Sequence, residues 1–564
     1  LYFINKISYQ ALYKYSIIIP ILIFYLFLTD CSASILRTVI MFILFALNQC
    51  FNLKIKKLDI MLLVLIIAIL INPYIIFDIG FQFSYSISLT IIITNKKINQ
   101  SKNSILKNLY LSFICFIVSF PICVYYFYQV NFLSIVFNLI MIPIVSIIIF
   151  PLTWITMLIP IIYPLYEKLI IVLEWLNNFL NQLDILKITF VKPSIIIIGI
   201  YYLVIVLSFR KKQYYIILFT IILIHRLYPY WNSNFIFTTI DVGQGDSLFI
   251  KLPFNEGNIL IDTGGKVTTP KEKWQQRENE SSIVIDKTIP YLKSLGINEL
   301  DYLILTHGDY DHMGEAINLV NNFKVEKVIF NCGPYNDLEQ ELIKVLDKKH
   351  IKYYSCIKEL NIDKNKLYFL QTKEYDNEND NSNVIFTELN GYKFMFMGDA
   401  GVNKESDILD KYNISDVDVL KVGHHGSKTS SSEDFINEIN PKYSIISVGK
   451  KNRYGHPNKE VLDNLEEAKK NLLKGFAILF VDGFSEVISF NDLLKTDLEN
   501  KTTDDIFNII FEQLEKKIST IFPQLTVEDI ENAYISEIEE LLVTFIEVNF
   551  TGAKKIISQV MKLA

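Results

Sequence analysis

No two of the six cysteines, at positions 31, 50, 115, 123, 332 and 356, stand in a CxxC arrangement, which excludes a zinc ribbon or a dithiol redox motif. Histidine is scarce, with seven in 564 residues, so any clustering of it carries information. An excess of positive charge is also missing. Against 60 Asp and Glu stand 54 Lys and Arg, for a formal net charge of −6, which argues against a protein that coats its whole surface with nucleic acid. No signal peptide precedes the first residues, and the chain opens on Leu1, not Met.

Apolar residues are what the chain has in plenty. At 51% hydrophobic and a mean hydropathy of +0.30 it is too apolar for an ordinary soluble enzyme of this size, and at ~150 residues per domain it has room for three or four units. The first 230 residues hold nearly all the long apolar runs, while acidic and amide residues crowd into the remainder. Runs at 15–29, 34–53, 58–72, 80–94, 108–128, 131–150, 152–166, 194–209 and 213–228 have about the length that a bilayer core of ~30 Å requires. Over 167–190, Glu174, Asn177, Asn178, Asn181 and Asp184 alternate at helical spacing with Leu176, Phe179, Leu180 and Leu183, which predicts a helix lying in the membrane interface.

Positive charge then orients the spans. Lys54, Lys56 and Lys57, then Lys96, Lys97, Lys102 and Lys107, then Arg210, Lys211 and Lys212 fall on one side, the cytoplasmic one, if 167–190 does not cross. Loops 73–79 and 129–131 carry no Lys or Arg, as external loops should. Everything from about Phe235 onward is therefore expected outside the membrane. Arg37, Asn72, Asp78, Gln82, Ser84, Gln129 and Asn138 either line a polar path or serve as helix-end and interhelical polar groups, with snorkelling the plainer reading for Arg37 and Asp78. Prolines 73, 121, 143, 151 and 160 favour kinked or interrupted helices.

From Phe235 the pattern becomes short alternating strands, at Phe235–Asp241, Ser247–Leu252, Asn258–Asp262, Tyr302–Thr306 and Lys327–Asn331, with helices such as Ser282–Leu295 and Met313–Asn322 between them. That predicts an α/β layered domain over 235–490. Three constellations close its strands. Thr306-His307-Gly308-Asp309-Tyr310-Asp311-His312 offers imidazoles and carboxylates that can converge at a strand mouth, a donor set suited to two divalent metals. Gly398-Asp399 ends Lys393–Met397, where a carboxylate could bridge two ions. Gly423-His424-His425-Gly426-Ser427 closes Val417–Val422. Beyond it, Ser430 and Glu433 suggest a capping box. Ser427, Lys428, Thr429 and Ser430 at that helix start, with His456 in Tyr454-Gly455-His456-Pro457, are candidates to hold a substrate phosphate. His225 and His350 read as structural. Cys332 and Cys356 lie near two strand ends, where a disulfide is conceivable.

Taken together, Asp241-Val-Gly-Gln-Gly-Asp246-Ser, Ile261-Asp262-Thr-Gly-Gly265, the His307–His312 motif, Gly398-Asp399 and His424-His425-Gly-Ser427 resemble the metallo-β-lactamase domain of the ComEC-type competence family. Ser32-Ala-Ser34 with Arg37, Asn72-Pro73, Phe81-Gln-Phe-Ser84, and Asn138 with Pro143 and Pro151 resemble that family's membrane domain. The match spans about 15–490. It implies a polytopic helical domain (1–230) followed by an αββα metallo-β-lactamase domain on the extracytoplasmic side of the bacterial plasma membrane. The whole would form a channel passing single-stranded DNA inward, with a nuclease that degrades the other strand. Carried over by residue, His307, Asp309, Asp311, His312 and Asp399 would be metal ligands. One of His424 and His425 would complete the coordination, with His425 the choice made here, and the other would contact the phosphate. Asp311, His424 and His425 would be catalytic, with two divalent ions, Zn²⁺ or Mn²⁺. Asp309, standing where many superfamily members have His, tilts the choice towards Mn²⁺. Implied partners are single-stranded DNA, the lipid bilayer, DNA-receptor and translocation-motor proteins, and further copies of the chain.

Two departures from the family stand out. Members usually carry, ahead of the matched region, a soluble domain and a further membrane segment, so a fragment, a misplaced start or a decayed gene is expected. The acidic stretch 495–564, with helical spacing at Ile506–Lys517 and Ile535–Val548, has no counterpart in the family and reads as a helical extension of unknown role. The rival readings are a membrane-anchored phosphodiesterase acting on a lipid or cell-wall phosphoester, and an inactive remnant. Lys421, Lys428, Lys450, Lys451 and Arg453 give only a modest basic patch.

Overall fold

The computed structural model describes residues 11–51, 53–100, 103–182, 187–265, 282–449, 452 and 454–470. The extension expected at 495–564 and the end of the 235–490 domain lie outside them.

The apolar runs of the first half form helices α1 (Ala11–Leu28), α2 (Ala33–Cys50), α3 (Lys57–Ile71), α4 (Ile79–Ile98), α5 (Ser104–Phe127), α6 (Ser134–Leu158), α7 (Tyr163–Gln182), α8 (Ile195–Arg210) and α9 (Tyr214–Trp231). Asp78 caps α4, its Oδ1 accepting the Phe81 N–H at 2.6 Å, and Asn103 caps α5 by accepting from the Ile105 and Leu106 N–H groups. By length and hydropathy, α5 and α6 suffice to cross a membrane, and Tyr13–Leu28, Ser34–Cys50 and Ile195–Arg210 are shorter apolar helices.

Two expectations are corrected here. The runs at 131–150 and 152–166 are not two segments, because α6 continues from Ser134 to Leu158 through a π-helical stretch, Ile144–Ile149. Pro143 precedes that wider turn and Pro151 sits in the first turn after it, so neither proline breaks the rod. The chain breaks instead at Ile159–Pro160, and the helix expected over 167–190 is α7, over 163–182. Arg37 does not snorkel. It is buried, and its Nε donates to Ser84 Oγ on α4 at 2.7 Å. Gln82, also on α4, donates to Tyr126 Oη on α5 at 2.9 Å, as an interhelical polar group.

Strands β1 (Gln129–Asn131) and β2 (Lys187–Thr189) pair antiparallel, with Gln129 opposite Thr189. Next to this ribbon, Phe120 meets Phe190 and Tyr201 in T-shaped, edge-to-face contacts, and His225 hydrogen-bonds to Tyr201 Oη and Val191 O, both at 2.9 Å. His225 is thus the structural histidine expected.

The later strands form two six-stranded sheets. One has the order β3-β4-β5-β6-β7-β8, from β3 (Ile236–Thr239), β4 (Leu248–Lys251), β5 (Asn258–Ile261), β6 (Glu299–Ile304), β7 (Lys324–Ile329) and β8 (Lys352–Tyr354), and is parallel from β5 to β8. β4 and β5 are buried at every position, the mark of strands covered on both faces. The second has the order β14-β13-β12-β11-β10-β9, from β9 (Glu359–Ile362), β10 (Asn365–Phe369), β11 (Ile385–Leu389), β12 (Tyr392–Phe396), β13 (Val419–Lys421) and β14 (Tyr443–Ile445). It is antiparallel from β9 to β12 and parallel from β12 to β14. The helices of this half are α10 (Ile289–Ser294), α11 (Tyr310–Met313), α12 (Ala316–Asn322), α13 (Asp337–Lys349), α14 (Val402–Lys411), α15 (Glu433–Ile439) and α16 (Lys459–Lys470). His350 ends α13 in the left-handed conformation, so it too is structural.

By compactness the described residues divide into two units, one drawn from 11–237, 249–330 and 335–355, the other from 238–248, 331–334 and 356–470. In the first, α9 and the residues around β2 meet the connection into β6. Lys192 N–H donates to Ser294 O at 2.7 Å, Val191 bridges Leu295, and Gly296 has φ +79°. A Cβ at Gly296 would lie 2.8 Å from Val191 Cγ2 and 3.0 Å from Pro229 Cγ, so only glycine fits. In the second unit, Met395, Leu420, Val422, Phe435, Ile436 and Val461 form a buried core between sheet and helices, and Cys332 and Cys356, for which the sequence left a disulfide only conceivable, are joined.

Candidate metal centre

In the first unit, β6 ends at Ile304 and delivers Thr306, His307 and the short helix α11, capped at Asp309. His307 and His312 are fully buried, with ring centroids 4.2 Å apart. Asp262, following β5, fixes them. Its Oδ1 accepts the Thr306 N–H at 2.8 Å, while Oδ2 accepts the Thr306 hydroxyl at 2.7 Å and lies 2.8 Å from His312 Nδ1. With Nδ1 held by a carboxylate, the Nε2 lone pair of His312 is the one presented, the usual orientation of a metal-binding imidazole. His307 Nε2 makes no hydrogen bond and stands 3.5 Å from Asp309 Oδ2. This packing tolerates no side chain at Gly265, whose Cβ would meet Tyr310 O at 2.1 Å.

In the second unit, Asp399 follows β12 and its N–H donates to Ser382 Oγ at 3.1 Å. His424 and His425 follow β13, both at positive φ (45° and 54°), a strained pair of the kind that collects at functional sites. The two rings differ in setting. His425 is buried, with Nδ1 2.9 Å from Ser447 O and Nε2 3.7 Å from Asp399 Oδ2. His424 is partly exposed, with Nδ1 3.1 Å from Thr429 Oγ1 and Nε2 3.8 Å from Asp399 Oδ2. Asp246, Asp399 and His425 bring ligand atoms within 4.8 Å of one another. The ring of His456 lies 5.8 Å from that of His424. Burial first, then the nearby His424 and His425, hold its pKa below the usual imidazole value.

The residues present fit a divalent cation. Buried imidazoles whose Nδ1 atoms are engaged by oxygen, beside carboxylates, are the donor set that zinc and manganese take. Sequence reasoning left Asp246 and Asp262 without a role. The signal for both was a carboxylate next to a glycine turn at a strand end, and the partners that define their roles lie far along the chain.

The expected phosphate cradle is redrawn. The capping box from Ser430 to Glu433 does not form, because Ser430 Oγ donates to Gly423 O at 2.7 Å. The N–H groups of Ser431 and Ser432, at the start of α15, donate to the Glu405 carboxylate at 2.5 and 2.9 Å. Burial raises the pKa of Glu405, and those hydrogen bonds oppose the rise. Ser427 and Ser430 are buried, whereas Lys428 and Thr429 are exposed. Lys421, read as part of a basic surface, is instead fully buried and ion-paired with Asp246. Lys450, Lys451 and Arg453 lie outside the described residues.

Two family models match the chain, one in each half. Residues 240–450 match the metallo-β-lactamase superfamily and residues 2–213 the Competence protein family. The chain is thus similar to the ComEC-type competence proteins. It is 29% identical over 472 residues to ComE operon protein 3 of Bacillus subtilis, a match covering 80% of this chain and 61% of that protein. It is also 30% identical over 242 residues to Competence protein ComA of Neisseria gonorrhoeae, covering 42% of this chain and 30% of that one. The chain thus spans about three-fifths of the length of the Bacillus relative. Among solved structures it is similar to the metallo-β-lactamase fold protein YhfI from Bacillus subtilis, at 14% identity over 42% of this chain and 93% of that one, with a TM-score of 0.26.

Proposed function

We propose that the chain is a metal-dependent phosphodiesterase acting on DNA, carried on a multi-pass membrane domain that passes a single strand inward. The observation that carries the hydrolase reading is the pair of oriented imidazoles, His312 on Asp262 and His425 on Ser447. In this reading His307, Asp309, Asp311 and His312 hold metal in the first unit, and Asp399 and His425 do so in the second. Bound there, two divalent ions would activate water and neutralise phosphodiester oxygens. Asp311 would also orient an attacking water and take its proton. His424, the more exposed of the histidine pair, faces substrate and stabilises the leaving oxygen, with Lys428 and Thr429 beside it. Ser427 and Ser430 shape this loop from beneath.

Placement outside the membrane has two supports besides loop charge. The β1–β2 pairing, with α6 and α7 between its strands, supports a return crossing by α7, which keeps the parity of the Lys and Arg clusters. The Cys332–Cys356 disulfide suits an oxidising compartment.

The test is the full chain in detergent with Mn²⁺ or Zn²⁺, assayed on single-stranded DNA and on a phosphocholine ester. DNA cleavage that disappears in Asp311→Ala with the fold retained is expected. Cleavage of the ester but not of DNA would transfer the activity to a lipid or cell-wall phosphoester.

A further inference from the structure

The metal residues explain how a phosphodiester could be cleaved, yet nothing among them recognises what the ester is attached to. Beside them, in the second unit, stands an aromatic group that they do not use. The Tyr454 ring is 69% exposed and lies nearly parallel to the His456 ring, at 13° with centroids 5.9 Å apart. His456 in turn is 5.8 Å from His424, whose Nε2 is 3.8 Å from Asp399. A line of rings therefore leads from the candidate metal ligands out to solvent and ends on an open aromatic face.

The turn that carries this ring is braced. Asn452 accepts the His456 N–H through Oδ1 at 3.0 Å and donates through Nδ2 to His456 O at 2.7 Å and to Gly449 O at 3.3 Å. Gly449 N–H donates to Gln244 Oε1 at 3.1 Å, and the Asn458 N–H to Gly426 O at 2.8 Å. Five hydrogen bonds thus tie the turn to itself and to the loops bearing Gln244 and the histidine pair. An exposed aromatic ring gains nothing for folding by being held open to water. For a planar ligand, a braced turn lowers the cost of ordering the backbone that carries the ring.

We propose that Tyr454, backed by His456, is a stacking platform for an unpaired nucleobase adjoining the scissile phosphodiester. Every base offers a π-face, so the platform accepts any sequence and demands only that the base be unstacked from a duplex. The ligand class is single-stranded nucleic acid, and Tyr454 sets specificity without touching the reacting atoms. This inference rests on the phosphodiesterase reading above.

The test uses the full chain in detergent with Mn²⁺ and two oligomers of equal length, single-stranded DNA and its abasic deoxyribose-phosphate counterpart. Wild type should prefer the base-bearing oligomer in kcat/KM. Tyr454→Ala should reduce that preference about tenfold, as loss of one stacked base implies, mainly through KM, and Tyr454→Phe should keep it. An unchanged preference in Tyr454→Ala would overturn the platform while leaving the phosphodiesterase reading intact, and so would an equal loss on both oligomers. Failure of wild type to cut either oligomer would remove the reading and the platform together.

Discussion

Lys404 shows what a single buried charge costs. It lies on α14, 5% exposed, with Nζ donating to Ser382 O at 2.6 Å, and Ser382 Oγ in turn accepts the N–H of Asp399. Burial brings its pKa down from 10.5 to about 8, with Asp380 opposing the fall. The folded state therefore holds this proton less tightly than the unfolded chain does. Below pH 8 both states are protonated and the penalty is full. Between about 8 and 10.5 the unfolded chain binds more protons, so stability rises with pH, by up to about 3 kcal/mol. Unfolding curves recorded from pH 7 to 10 should show that rise in wild type and lose it in Lys404→Met; parallel curves would show that the ammonium is not penalised.

At the same scale, what the sequence made legible was residue type and clustering. Four of seven histidines in two strand-end motifs marked the candidate site. What it could not convey was orientation. His312 is aimed by Asp262, fifty residues earlier, and His425 by a backbone carbonyl at Ser447. Lys421 looked like surface charge because its partner, Asp246, lies far upstream. These pairings exist only once the strands are assembled.

Elements were legible where period and composition agreed. The expected strands ending at Asp241, Leu252, Asp262, Thr306 and Asn331 overlap β3 to β7. Expectation failed where a local rule was outweighed by its surroundings. Prolines 143 and 151 suggested a break, yet the π-helical stretch absorbed them into α6. Ser430 and Glu433 had the spacing of a capping box, yet Glu405, buried on α14, satisfies the N–H groups of the next two serines. A glycine carries the corresponding prediction. With φ +79° and a would-be Cβ 2.8 Å from Val191, Gly296→Ala should destabilise the first unit by about 1–3 kcal/mol. A drop in melting temperature of the detergent-solubilised chain checks this, and an unchanged melt would mean that the junction yields.

For the whole molecule, the change from apolar helices to short strands near residue 235 was legible in composition, whereas membrane topology depends on which helices cross. The β1–β2 pairing makes a prediction there. In intact cells, an impermeant maleimide should label single cysteines placed at Tyr74 and Lys187 and spare those at Lys97 and Lys211. Protection at Lys187 would show that α7 does not return the chain to the outer side, and the parity argument would fall.

The hydrogen bond from Lys192 to Ser294 and the bridge from Val191 to Leu295 have a mechanical consequence. The abrupt change of composition near residue 235 is a chemical seam, but no swivel lies there, since backbone is stitched across it from both directions. Tilt or rotation of α8 and α9 would be transmitted as a pull on the lead-in to β6, the strand whose far end delivers His307. Movement of the helical half and the aim of the His307 imidazole are thereby put on the same lever.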